Sequence, residues 1–160
     1  MPGSTQGMAS SGAVAATVGY EVRRVRGEKE MDAALRLRHD VFCVEQGVPE
    51  REEVDGRDPD GIHLVAVAAG RMLGTCRLLL IGRTVQFSRL AVDTSVRRRG
   101  IATALLEAAE SEALEAGARR MVLHAQTYAR ALYERSGYRP RGAIFSEAGI
   151  EHVAMEKEIQ

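Results

Sequence analysis

Three consecutive arginines, Arg97, Arg98 and Arg99, followed by Gly100, Ile101 and Ala102, stand immediately ahead of a run of strong helix formers. The first turn of a helix carries unpaired N–H groups and a partial positive charge, so it holds an anion wherever the side chains let a ligand come close. Gly100 and Ala102 are small enough to allow that approach. From Arg71 to Gly100 seven arginines face a single acid, Asp93, which adds cationic charge at the same turn. Spacing alone also fits a solvated basic turn with no ligand. Neither a GxxxxGK[ST] loop nor a GxGxxG fingerprint occurs, so nucleotide hydrolysis and a dinucleotide fold are unsupported.

The other residues with chemical potential are scattered. His39, His63, His124 and His152 lack any ligand spacing, and no metal is expected. Cys43 and Cys76 stand apart with no second cysteine near either, which suggests reduced, buried thiols and not a disulfide framework. Between residues 45 and 60 seven acids outnumber Arg51 and Arg57, for a local charge of −5. Such a run reads either as a solvated loop or as an attractor for a cationic substrate.

Several elements must position these groups. Residues 1–19 are small and nearly uncharged and read as a flexible leader; a single domain is expected over 20–160. YEVRRVR has a strand-like mix, and EMDAALRLRHDVF places Met31, Leu35, Val41 and Phe42 near a helical spacing. IHLVAVAA, MLGTCRLLLI and TVQFSRLAV are aliphatic runs separated by glycine turns, which predicts an antiparallel meander. IATALLEAAESEALEA is the clearest helix, closed at Gly117. RRMVLHA follows as a strand, and the strand–helix–strand order requires a crossover that sets it parallel to TVQFSRLAV. YARALYERSG reads as a second helix, and YRPRGAIF with IEHVAME as a closing hairpin.

Composition bounds the rest. At 160 residues with 45% apolar and 28% charged side chains, the chain has the material for one folded core. Formal net charge is zero, which removes the composition-level case for a nucleic-acid binder, and 4% aromatic content offers few stacking platforms. No apolar run approaches the roughly 20 residues needed to cross a bilayer, and no basic flank marks a secretory signal, so no membrane partner is expected and the location is read as cytoplasmic.

Against this background the turn Arg97-Arg98-Arg99-Gly100-Ile101-Ala102 resembles the [RQ]-x-x-G-x-[GA] signature of the GNAT superfamily of N-acetyltransferases. QTYARALYERSGY, from Gln126 to Tyr138, resembles that family's later motif, with Ala129, Leu132, Tyr133, Gly137 and Tyr138 in place. RHDVFCVEQGVPEREEVDGRD and EAGIEHVAME are similar to the ElaA-like branch, so the resemblance spans roughly residues 20–157. It implies an α+β fold of the α/β/α sandwich type: a mixed, mostly antiparallel sheet of six to seven strands, splayed between the fourth and fifth, with helices on both faces.

The resemblance further implies acetyl-CoA as cosubstrate, lying in the fork between TVQFSRLAV and RMVLHA. Backbone groups around Leu90, Ala91 and Val92 would pair with the pantetheine arm, and the backbone from Arg98 through Arg99, Gly100, Ile101 and Ala102 to Thr103 would hold the pyrophosphate, helped by the Arg97 side chain. Gln126 stands where the family has an asparagine near the cofactor arm, and Ala129 belongs to the same motif. Tyr133 occupies the position of the general acid that protonates the thiolate; the same residue also fits a core tyrosine of an amphipathic helix. Where many members carry a strand glutamate as base, this chain has Gln86 and Ser88. His124 and Glu45 are the substitutes considered, with His63 and His152 unranked.

The implied reaction is acetyl transfer to a small-molecule or peptide primary amine. A non-catalytic acyl-CoA binding or sensing module is the alternative, and a homodimer is compatible with the sequence.

Overall fold

The computed structural model describes residues 15–17 and 19–160. Strands β1 (Ala15–Thr17) and β2 (Tyr20–Arg24) lead into helix α1 (Gly27–Arg38), a π-helical turn (His39–Glu45) and the short α2 (Glu50–Glu53). The meander β3 (Ile62–Ala68), β4 (Arg71–Ile81) and β5 (Thr84–Val92) follows, then α3 (Ile101–Glu115), β6 (Arg120–Gln126), α4 (Arg130–Arg135), β7 (Arg139–Pro140), β8 (Phe145–Glu147) and β9 (Ile150–Glu158).

Among the described residues these strands make one sheet in the order β1-β2-β3-β4-β5-β6-β9-β7, with β8 also on β9. Every pairing is antiparallel except β5 with β6, the crossover that α3 bridges. This is the mixed α+β architecture read from the sequence, with nine strands. The two extra strands have local causes. Pro140 and the left-handed Gly142 (φ 89°) break the expected penultimate strand into β7 and β8. The leader expected over residues 1–19 lies mostly outside the described residues, but Ala15–Thr17 pair with Tyr20–Val22 and form a strand instead.

Alternation along the strands assigns the two faces. Leu78, Val85, Phe87, Met121, Leu123 and Met155 point to one side, where they pack on Leu105, Leu106 and Ala109 of α3 in the main core. A Cβ at Gly74 would lie 3.0 Å from both Ile101 and Leu105, so α3 sits this close to β4 only because that residue is glycine. On the other side Leu37 and Val41 pack on Ala91 beneath α1.

Helix α1 has acids Glu28 and Glu30 in its first turn and Arg36 and Arg38 in its last, both favourable to the helix dipole. Its predicted continuation through Phe42 is widened into the π turn, where the Gln46 N–H donates to the Val41 carbonyl at 3.1 Å. None of the helices among the described residues is long and apolar enough to cross a membrane.

Candidate active site

The parallel ladder between β5 and β6 runs from Thr84–Arg120 to Phe87–Leu123 and stops there. Both strands continue, β5 to Val92 and β6 to Gln126, so the sheet forks between them. The fork has a cause in β5 itself: Thr75 pairs with Ala91 while Arg77 pairs with Ser88, leaving Arg89 and Leu90 opposite Cys76 alone. Arg89 takes φ 57°, the mark of a bulge that bends the strand and reverses which side its residues face. Leu90 and Val92 therefore pack toward the main core, while Ala91 packs under α1.

A cavity of about 960 Å³ fills the fork. Of the residues singled out from the sequence, Leu90, Val92, Arg97, Arg98, Gly100, Ile101, Ala102, Thr103, His124, Gln126, Ala129 and Tyr133 line it; Glu45, Ala91 and Arg99 lie outside the lining. One wall is the start of α3. Arg98 and Gly100 adopt left-handed backbone, with φ 64° and 84°, and the first intrahelical bond is donated by Ala104 to the Gly100 carbonyl at 2.9 Å. No side chain caps this helix, which leaves the amides of Ile101, Ala102 and Thr103 as donors for an anion.

Tyr133 stands at the floor of the fork. Its ring makes edge contacts with Phe87, the last residue of β5 paired with β6, at 6.4 Å between centroids, and with Tyr138 at 6.1 Å. Tyr138 is itself tied by its hydroxyl to Glu110 at 2.7 Å, which fixes the end of α4 against α3. Burial pushes the Tyr133 phenol well above its ordinary value, so it keeps its proton at neutral pH. Its hydroxyl is open to the cavity, with no hydrogen-bond partner among the described residues. The ring belongs to the core, and the residue also lines the cleft.

His124 is the first residue of β6 beyond the ladder, on the sheet face opposite Leu123 and Tyr133. Its Nδ1 lies 2.8 Å from Glu147 Oε1 on β8, and its ring meets the Phe145 edge at 5.0 Å. Phe145 in turn stacks on His152, whose Nδ1 donates to the Ile150 carbonyl at 2.7 Å. His152 lines the cavity; His63 does not, and contacts the Asp58 carbonyl instead. Glu147 was not singled out from the sequence. The signal that could have found it is the SEAG turn, which sets Phe145 opposite His152 and Glu147 opposite Ile150.

Glu45 is placed against the role of base. Its carboxylate accepts two bonds from the Arg97 guanidinium, both 2.7 Å, and this contact holds its pKa below the usual carboxylate range. Arg97 also donates through Nε to the Val92 carbonyl at 2.9 Å. The neighbouring Gln46 accepts from the Gln126 amide at 2.9 Å. Residues 45 and 46 thus reach both arms of the fork, one beyond β5 and the other at the end of β6.

Neither sequence reading of the acidic segment, solvated loop or substrate attractor, describes Glu53, Asp55 and Asp58, which are paired inside the fold. Arg38, 1% exposed, donates to Glu53 at 2.8 Å and to Asp58 at 2.8 Å. Arg77 is bidentate on Asp55, with both bonds at 2.9 Å, and also reaches Asp58 at 2.9 Å; Arg89 bonds Glu53 and Asp55, each at 3.1 Å. Three acids are therefore engaged by three arginines, and the segment is a clamp fastening α2 and its loop onto β4 and β5. Solvation of buried charges is lost, so each must be paired for the fold to hold.

Arg77 draws the Asp55 carboxyl far below its usual value. Burial alone would raise Asp58, but Arg38 and Arg77 hold it low as well. Carboxyls with depressed folded-state pKa values contribute stability that is complete above the unfolded-state value of about 4 and is lost as pH falls toward the folded-state values. Thermal melts are expected to show the midpoint falling steeply between about pH 4 and pH 2. Asp55→Asn should already be less stable at pH 6 and show a shallower fall; an unchanged slope would remove this pair from the acid transition.

With this geometry in hand, the family model for the acetyltransferase (GNAT) domain matches residues 28–159. The chain belongs to the GNAT acetyltransferases. The N-acetyltransferase YjcF of Bacillus subtilis is 31% identical over 134 residues, covering 83% of this chain and 96% of that protein. An acyl-CoA N-acyltransferase from Pseudomonas aeruginosa superimposes with TM-score 0.76 at 31% identity, over 86% of this chain and 97% of its own. Escherichia coli ElaA shares the fold, with TM-score 0.79 at 23% identity over 87% and 99% of the two chains. This GNAT protein is an acyl-CoA-dependent N-acetyltransferase with acetyl-CoA as its cosubstrate. The uncapped α3 amides suit the diphosphate of that cosubstrate, and the cavity suits its arm.

Proposed function

We propose that this GNAT enzyme transfers acetyl from acetyl-CoA to a primary amine by direct attack on the thioester, with His124 accepting the amine proton and Tyr133 protonating the departing thiolate. The observation that carries the reading is the position of these two groups on opposite sheet faces at the point where β5 and β6 part. A thioester threaded through the fork would present its carbonyl to the amine on the α1 face and its sulfur to the phenol on the α3 face. The amine, with a pKa of about 10 if lysine-like, must lose a proton, and a neutral imidazole takes it near pH 7.

The cosubstrate would lie with its diphosphate on the amides from Arg98 to Thr103 and its pantetheine along Leu90 and Val92, near Gln126 and Ala129. The bulge at Arg89–Leu90 supports an N–H donor for the tetrahedral oxyanion. A phenol is ordinarily a weaker acid than a thiol, with pKa values of about 10 and 8.5. Exclusion of water raises both, so the difference between them changes little, and a short hydrogen bond in the transition state suffices to ease departure.

Because Glu53, Asp55 and Asp58 are engaged by arginines, the acceptor is read as a small molecule or peptide presenting one amine, not a polycation. Two free cysteines and the absence of a membrane-length helix among the described residues are compatible with a cytoplasmic setting.

The test is thiol release from acetyl-CoA across a panel of small primary amines and lysine peptides, run on the wild type and on Glu45→Gln. Release with at least one amine is expected, and kcat of the variant should stay within about threefold of wild type, whereas loss of a true base costs about 10²–10⁴-fold. CoA binding without release on any amine would favour the sensing module.

A further inference from the structure

We infer that Glu147 is a positioning residue that fixes the tautomer and direction of His124 for proton transfer. The inference rests on the reading of His124 as the base and assigns a role to the β8–β9 hairpin, which that reading leaves without one. A carboxylate only accepts hydrogen bonds, so the 2.8 Å contact from His124 Nδ1 to Glu147 Oε1 requires the proton on Nδ1. Nε2 of the neutral ring then carries the free lone pair, and it is the only imidazole atom left to receive a proton. Phe145 packs against the same ring, with centroids 5.0 Å apart and the planes near perpendicular. The carboxylate also stabilises the imidazolium formed once the proton has moved from the amine nitrogen to Nε2, with the new N–C bond forming at the thioester carbonyl.

The hairpin delivers Glu147 by register. The left-handed Ala148 and Gly149, φ 54° and 76°, close a two-residue turn that sets Glu147 opposite Ile150 and Phe145 opposite His152. His152 pairs with Gln126, two residues along β6 from His124 on the same face. The titratable groups facing His124 are thus Glu147 from β8 and His152 from β9, with the Glu156–Arg120 pair farther down that face and Glu52 of α2 across the cavity. On the β5 side Gln86 and Ser88 carry no charge, and beyond them Arg77 and Arg89 line the cavity already paired with Asp55 and Glu53, with Arg57 also in the lining.

Glu147→Gln preserves size but adds an N–H that can donate to Nδ1, which stabilises the opposite tautomer. With the pair half exposed to solvent, kcat is expected to fall about 10²-fold, less than the roughly 10⁴-fold known for a buried carboxylate–histidine pair. The acetyl-CoA KM should stay near wild type, and Glu147→Asp should recover part of the rate.

Two-bond ¹⁵N–¹H correlation spectra at about pH 8.5, where imidazoles are neutral, should show His124 protonated on Nδ1 in the wild type and on Nε2 in Glu147→Gln. The signal is assigned by its disappearance in His124→Ala. Wild-type kcat in Glu147→Gln, an unchanged tautomer, or a rate loss matched by loss of acetyl-CoA affinity overturns the inference. His124→Ala separates the two levels. If it retains wild-type kcat, the base assignment and the inference fall together; if it is inactive while Glu147→Gln is not, the inference falls alone.

Discussion

Tyr133→Phe is expected to lower kcat about 10²–10³-fold while leaving the dissociation constant of CoA within about twofold. The substitution removes one oxygen and leaves the ring, and the ring is what packs: its edge contacts with Phe87 and Tyr138 and its burial beneath the fork do not involve the hydroxyl. No hydrogen bond to another side chain is lost either, so the fold has little reason to respond. What disappears is the proposed proton donor at the floor of the fork, whose interaction would develop only as the thiolate leaves. An interaction confined to the transition state lowers kcat and kcat/KM together when removed. Stopped-flow thiol detection beside calorimetry with CoA reads both quantities. Undiminished turnover in the phenylalanine variant would take the acid role from Tyr133.

Gly100→Val is expected to weaken CoA binding by about 10²-fold or more while leaving the protein folded. Gly100 holds φ 84° at the start of α3, where a side chain costs about 1–2 kcal/mol of backbone strain. No atom lies within 4 Å of where a Cβ would stand, so the fold itself suffers no clash, and the melting midpoint should drop by only about 2–8 °C. The space the valine takes is the approach to the amides of Ile101 to Thr103. A diphosphate kept from those donors loses both their hydrogen bonds and the favourable end of the helix dipole. Isothermal titration with CoA and a thermal melt on the same sample distinguish loss of the site from loss of the fold. Wild-type affinity in the valine variant would place the diphosphate elsewhere.

The proposed catalytic pair and the proposed diphosphate site differ in how openly the chain advertises them. The arginine–glycine turn is contiguous, and its chemistry follows from a helix start that periodicity alone reveals. Tyr133 sits in a recognisable local motif, so its position is legible in the sequence alone. His124 stood out in the sequence only as a strand histidine, a substitute for the missing base beside Glu45. Its partner Glu147 lies 23 positions away on another strand, and Glu45 gained a place among the candidates that its contact with Arg97 removes.

The meander, the crossover, α3 and the helix near Tyr133 were legible because each is written in local spacing: alternation for strands, a repeat near 3.6 for helices, and glycine at turns. The bulge at Arg89, the π turn and the split of the hairpin strand escaped because one extra or missing residue changes the phase of a pattern without changing its composition.

Charge was the least legible of all. Seven acids within sixteen positions read as a solvated loop or as a field for a cationic substrate, yet the three that matter most bind arginines brought to them by the fold: Asp55 meets Arg77 across 22 positions, Glu53 meets Arg89 across 36, and Asp58 meets Arg38 across 20. By itself the sequence determined which segments become strands and helices, which helix opens on an arginine–glycine turn, and which tyrosine stands in the family's later motif. Tertiary structure alone decided which charges are neutralised and which imidazole meets a carboxylate, because electrostatic partners are chosen by distance in space, and that distance is set only when the sheet has closed.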